Sequence, residues 1–159
     1  MIKAIEIQAP NEIPNTIKTK VFLAGSICGK KEGEFAIEWQ KEIIKLLEYK
    51  PLVFLNPRRD NWDSTWVQDI KNKEFKEQVK WELTSLELAD FIIMVIDPNT
   101  YAPITLLELG LHARSNKLVV ICPEGFWKKG NVDVVCEVYN IPLFSSIEEL
   151  IVHIDDYIH

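Results

Sequence analysis

Cysteine is scarce in this chain, with three among 159 residues, at Cys28, Cys122 and Cys136. An odd number at wide spacing makes no disulfide framework and no CxxC metal motif, and the cytoplasm is the natural compartment. Histidine is as scarce. His112, His153 and His159 are scattered, with no HxxxH pair, so no catalytic metal and no cofactor is expected. The longest apolar runs are strand-length, so no segment is expected to span a membrane. The first twenty residues lack the apolar core of a signal peptide. Basic residues are outnumbered, 18 Lys and Arg against 24 Asp and Glu, for a net charge of −6. Such a chain repels a nucleic-acid polymer, whereas a small anion needs only a local basic cluster. Glycine-rich signatures are missing too. Gly25-Ser26 continues neither as GxGxxG nor as GxxxxGKS/T, and there is no GxSxG elbow.

What is present is ordinary globular composition, 47% hydrophobic and 26% charged. The length fits one domain over residues 1–159, with no repeat and no linker. Residues 2–7 alternate as a short strand. Apolar strands are expected at Lys20–Ala24, Leu52–Leu55, Phe91–Ile96, Lys117–Cys122 and, shorter, Ile141–Phe144. Helical spacing appears over about 34–49, 72–88 and 103–115, the last opened by Pro103. Ser145 or Ser146 caps a final helix. The stretch 131–140 has no assignable period. Apolar strands alternating with helices imply a parallel sheet covered on both faces. Ligands of such sheets bind beyond the carboxyl ends of the strands, at a switch point.

The candidate residues lie in those turns or on the helices beside them. Glu108 stands on the helix after Asp97-Pro98-Asn99, and Ile104, Leu107 and Leu111 are read as sharing its face. A carboxylate there loses hydration, which costs free energy unless it is paired or used. The competing reading is a buried glutamate capped by His112 or a backbone amide. Gly110 is read as a close helix–sheet contact. Glu82 is either a solvated residue beside Lys80 or Lys76, or a second carboxylate facing the same pocket. Arg58 and Arg59 share a long aperiodic loop with Trp62 and Trp66. Arginines bind carboxylate or phosphate oxygens in bidentate fashion, and tryptophan offers a stacking face. The plainer alternative pairs those arginines with Asp60 and Asp63. Gly25 and Ser26 offer backbone amides to an anion or a sugar hydroxyl.

Several blocks together resemble the nucleoside 2-deoxyribosyltransferase family, in its branch of short stand-alone domains. They are Val21-Phe22-Leu23-Ala24-Gly25-Ser26-Ile27, Asn56-Pro57-Arg58-Arg59, Gln78-Val79-Lys80-Trp81-Glu82-Leu83 with Ala89-Asp90, and Pro103-Ile104-Thr105-Leu106-Leu107-Glu108-Leu109-Gly110. Cys122-Pro123-Glu124-Gly125-Phe126-Trp127 with Gly130-Asn131-Val132 completes the set. The resemblance implies an α/β, flavodoxin-like three-layer sandwich with a mainly parallel five-stranded sheet. It implies base exchange on a (deoxy)nucleoside, with Glu108 as the nucleophile that forms a glycosyl ester and Glu82 orienting sugar or base. Gly25, Ser26, Asn56, Arg58, Arg59, Trp62, Gln78 and Asn131 are the expected substrate contacts. Asn131 lies in a segment that, in the family, reaches a neighbouring subunit's site, which implies a homo-oligomer with shared sites. Phe22 stands where relatives carry a tyrosine. Tyr101-Ala102-Pro103 stands where well-known transferases carry an aspartate, leaving Asp97 or Asp63 as proton shuttle. Two alternatives remain: an N-glycosidase acting on a nucleoside or its 5′-monophosphate, and a non-catalytic nucleotide-binding module.

Overall fold

A computed structural model describes residues 3–63 and 65–158; Ile2 of the first expected strand, Ser64 of the long loop and His159 lie outside it. The apolar runs form strands β1 (Ile5–Gln8), β2 (Thr19–Gly25), β3 (Leu52–Asn56), β4 (Phe91–Val95), β5 (Leu118–Ile121) and β6 (Leu143–Phe144). They make one sheet in the order β1-β3-β2-β4-β5-β6, and every pairing is parallel. The five strands from β2 onward have the flavodoxin-like order. The expected count of five is one short, because β1 joins the edge of β3 with Ile5 opposite Val53.

The helices are α1 (Trp39–Leu46), α2 (Lys73–Leu88), α3 (Pro103–His112), α4 (Lys129–Tyr139) and α5 (Ile147–His153). Alternation along β2 explains the two cores. Phe22 and Ala24 face one side, with Trp81 and Leu86 of α2, Leu109 of α3 and Cys136 of α4. Val21 and Leu23 face the other, with Trp39 and Ile43 of α1 and Leu150 of α5. Central strands buried on both faces read as continuous apolar runs for this reason.

Two helices depart from their expected bounds. The amphipathic pattern from residue 34 begins in a small hairpin instead, where the Gly29 amide donates to the Glu34 carbonyl and the Ala36 amide to that of Ile27. Phe35 is left exposed there, and α1 starts only at Trp39. The unassigned stretch after Gly130 is helical. Its four valines and its lack of a side-chain cap at Lys128 argue weakly for a helix, and burial of Val132 and Cys136 supplies the rest.

The chain runs from β2 one way to β3, then crosses back over β2 to β4. The switch point therefore lies between the carboxyl ends of β2 and β4.

Candidate active site

The floor of this crevice is a knot of short polar contacts. Gly25 ends β2 with φ of +146°, and a Cβ there would collide with the Val95 carbonyl and the Trp39 ring. Only glycine lets the two strands close. Ser26 is fully buried behind it. Its hydroxyl accepts from the Asp97 amide (3.0 Å) and shares a hydrogen with the Thr100 hydroxyl (2.7 Å), which donates in turn to the Asp97 carbonyl (2.8 Å). The Trp39 indole donates to the Ser26 carbonyl at 2.9 Å. Asp97 is buried, and its carboxylate accepts from the Asn99 amide at 2.8 Å. The Ser26 hydroxyl and the Asp97 carboxylate thus hold the turn in shape. Thr100, fully buried at its centre, gave no sequence signal beyond its place in a turn.

The loop after β3 separates its two arginines. The Arg58 guanidinium donates to the backbone carbonyls of Ile37 (2.9 Å) and Ala36 (3.1 Å), fastening the hairpin before α1. Asn56 is buried and internally bonded, to Glu6 and to the Arg58 amide. Arg59 turns the other way. It lies 5.2 Å over the Trp66 ring and donates to Asn61 (2.8 Å) and to Gln78 Oε1 (3.4 Å). Trp62 and Trp66 meet edge to face at 4.9 Å. Gln78 is buried on α2 and links this loop to the helix. Its Nε2 donates to the Pro57 carbonyl (2.9 Å) and to Glu82 Oε1 (2.8 Å).

Glu82 and Glu108 face each other's helices across this assembly. Glu108 is 8% exposed on α3, between buried Thr105 and His112. Burial first, and the negative charge of Glu82 second, push its carboxyl up to about 8. Burial also raises Glu82, against the lowering effect of the Gln78 hydrogen bond. With its carboxyl at about 8, Glu108 keeps its proton near neutral pH beside the charge of Glu82.

The surroundings of Glu108 differ from the expected ones. Ile104, Leu107 and Leu111 are each more than half exposed. They form the outer face of α3, and the glutamate is buried by the inward side. Gly110 also faces outward, with nothing within 4 Å of where its Cβ would stand, so it makes no close helix–sheet contact. Phe22 is buried in the core on the α2–α3 side of the sheet. Asp63 is bonded by the Thr65 amide (2.8 Å) and hydroxyl (2.6 Å), which lower its carboxyl and keep it ionised. Asn131 lies exposed near the start of α4.

The far rim, after β4 and β5, is a chain of rings and amines absent from the sequence reading as a group. Lys30 lies 5.6 Å over Tyr101, Tyr101 meets Trp127 edge to face at 5.5 Å, and Lys128 lies 4.7 Å over Trp127. Arg59 with its tryptophans stands on the β3 side. Buried Glu108 and half-buried Glu82 thus stand beside Gln78, which joins them to the Arg59 loop, while the rings and amines of Tyr101, Trp127, Lys30 and Lys128 form the far side. Such a site can stack a planar ring, hold an anionic group and move a proton. Among the described residues no helix is long and apolar enough to cross a membrane. No curated protein gives a significant match to the chain. A family model described as nucleoside 2-deoxyribosyltransferase like matches residues 18–126, from the start of β2 through the loop after β5.

Proposed function

The chain belongs to the nucleoside 2-deoxyribosyltransferase-like family, and on that premise we propose that it exchanges the base of a (deoxy)nucleoside through a glycosyl ester on Glu108. The observation that supports this most is buried Glu108 with its carboxyl raised beside half-buried Glu82. A binding module gains nothing from two desolvated carboxyls. A glycosyl-transfer enzyme needs one proton and one carboxylate, which is what such a pair holds near pH 7.

In the first half-reaction the sugar–base C–N bond breaks and its electrons stay on the base nitrogen. The proton of the pair passes through Glu82 to the base. The carboxylate left on Glu108 bonds to the anomeric carbon, and two negative side chains stabilise the cationic sugar in the transition state. In the second half the incoming base loses its N–H proton to Glu82, its nitrogen attacks the anomeric carbon, and Glu108 leaves. Two displacements give net retention. Water in place of the base gives hydrolysis. Arg59 and the Trp62–Trp66 pair lie at the rim as sugar, phosphate or base contacts, while Arg58 and Asn56 support the loop that carries them. The reading includes a homo-oligomer in which Asn131 completes a neighbour's site.

The test is product analysis on deoxynucleosides, ribonucleosides and their 5′-monophosphates, with and without an acceptor base. Base exchange and a sugar ester trapped on Glu108 in mass spectra are the expected results. Free sugar at the same rate with and without acceptor assigns hydrolysis instead, and no turnover of any of these substrates overturns the reading.

A further inference from the structure

Gln78 is 4% exposed, and both hydrogens of its amide are spent within the chain. One goes from Nε2 to the Pro57 carbonyl (2.9 Å) and the other to Glu82 Oε1 (2.8 Å). Its own Oε1 accepts from the Arg59 guanidinium at 3.4 Å. The orientation of this amide is fixed twice over. A backbone carbonyl can only accept, so the nitrogen must face Pro57. A guanidinium can only donate, so the oxygen must face Arg59. The second N–H then meets Glu82, which stands one turn further along α2. A residue expected from the sequence to touch substrate is instead enclosed by protein.

A hydrogen bond donated to a carboxylate favours its ionised form. At Glu82 burial works against that form and the Gln78 hydrogen bond works for it. Glu108 receives no such bond among the described residues, and burial and the charge of Glu82 both favour its protonated form. The two carboxyls therefore differ in having a donor as well as in depth. The charged groups that bear on Glu82 are Glu108 from α3 and, through Gln78, Arg59 from the loop after β3. The same bond also selects an oxygen. An amide hydrogen already points at Glu82 Oε1, and a proton on that oxygen would meet it. Oε2 is left to take up a proton.

We propose that Gln78 is a positioning residue that divides the proton between the two acids: its fixed amide holds Glu82 ionised at rest and reserves Glu82 Oε2 to receive the proton of Glu108. The proton leaves Glu108, whose carboxylate is then free to attack, and passes by Glu82 to the departing base. Because Pro57 and Arg59 hold the same amide, the loop after β3 sets the direction of the bond to Glu82. The inference rests on the acid–base reading above and names the residue that prepares it.

The first test needs no turnover. With isotope-labelled glutamate, the carboxyl signals of Glu82 and Glu108 are followed by NMR against pH, assigned from Glu82→Gln and Glu108→Gln chains. In Gln78→Met, which fills a similar space without a donor, the Glu82 midpoint is expected to rise by about one pH unit. The Glu108 midpoint is expected to stay at about 8. Gln78→Glu keeps the shape and an acceptor for Arg59 but sets another carboxyl against Glu82, and its rise is expected to be larger. Asn72→Ala removes the side-chain cap of α2 and touches neither acid. It is expected to lower the melting temperature and leave both midpoints in place. A Glu82 midpoint that neither folded Gln78 variant moves overturns the proposal. So does a rise of equal size in Asn72→Ala, which assigns the effect to a loosened helix.

The second test is kinetic. In Gln78→Met the acid limb of kcat/KM is expected to move up with the Glu82 midpoint, while the fall above about pH 8 stays in place. A uniform loss at every pH, with both limbs unmoved, is the mark of a structural role and overturns the proposal. Absence of turnover in the wild-type chain overturns the catalytic reading alone, and the titration still decides which residue divides the proton.

Discussion

On its inner face α3 buries Thr105, Glu108, Leu109 and His112; on its outer face it exposes Ile104, Leu107, Gly110 and Leu111. An ordinary surface helix does the reverse, placing its aliphatics against the sheet and its polar groups in water. Burying a carboxyl costs free energy, and so does leaving aliphatics wet. A helix that does both is held only if each face meets something outside the single empty chain. For the inner face, the proposed function supplies a proton and a sugar. The cost of the inner face is visible in Glu108, pushed up to about 8, and in His112, whose imidazole burial pushes down.

The contrast is tested most severely by removing the inner acid. Glu108→Ala is expected to lower turnover by about 10³-fold or more, with the circular dichroism spectrum retained. Unchanged activity ends the catalytic reading. Next in size is Glu82→Gln, expected to cost roughly 10²-fold in kcat/KM. Its pH profile is the sharper readout. Wild-type kcat/KM is expected to fall above about pH 8 as the pair loses its last proton. In the Glu82→Gln variant that fall disappears, because the residual rate needs only ionised Glu108, whose carboxyl drops when the neighbouring charge is gone.

A smaller effect separates stability from activity. Glu108 is raised from an ordinary 4.5 to about 8 in the folded chain. The folded state therefore holds more protons than the unfolded one between those values, and wild-type stability falls as pH rises through that window. Glu108→Gln removes the penalty. Its melting temperature is expected to match wild type near pH 4.5 and to exceed it by about 10 °C at pH 8. A constant difference across that range overturns the assignment. The smallest effect is on the outer face. Gly110→Ala is expected to stabilise the dilute single chain by about 0.5–1 kcal/mol in urea titration, since its new methyl meets open space. Destabilisation of the single chain contradicts an open outer face.

The sheet was legible because its central strands are uninterrupted apolar runs, α2 because its apolar residues keep helical spacing, and α3 and α5 because an opening proline or a serine cap is plain in the sequence. The parallel order followed from alternation of the two. Beyond that, local pattern ran out. Hydropathy shows that α3 has an apolar stripe, not which way the stripe faces, so Glu108 was assigned the wrong neighbours. Arg58 and Arg59 are adjacent and chemically identical, and only the path of the chain sends one to the carbonyls of residues 36 and 37 and the other to Gln78. Thr100 looks like any turn residue until Ser26, seventy-four positions away, is brought to 2.7 Å. Edge pairing of β1 depends on a partner, β3, about fifty residues distant. These are long-range facts, decided by packing.

The glycine at position 25 has a consequence for changing what the site accepts. Because any side chain there collides with β4 and Trp39, the width of the crevice floor cannot be tuned by mutation at that point. The polar knot of Ser26, Asp97 and Thr100 fixes the adjoining depth. Diversity has to enter from the rims. A library aimed at a new base or a new sugar is best drawn at Arg59, Trp62, Trp66, Tyr101 and Trp127, with residues 25, 26 and 100 held constant.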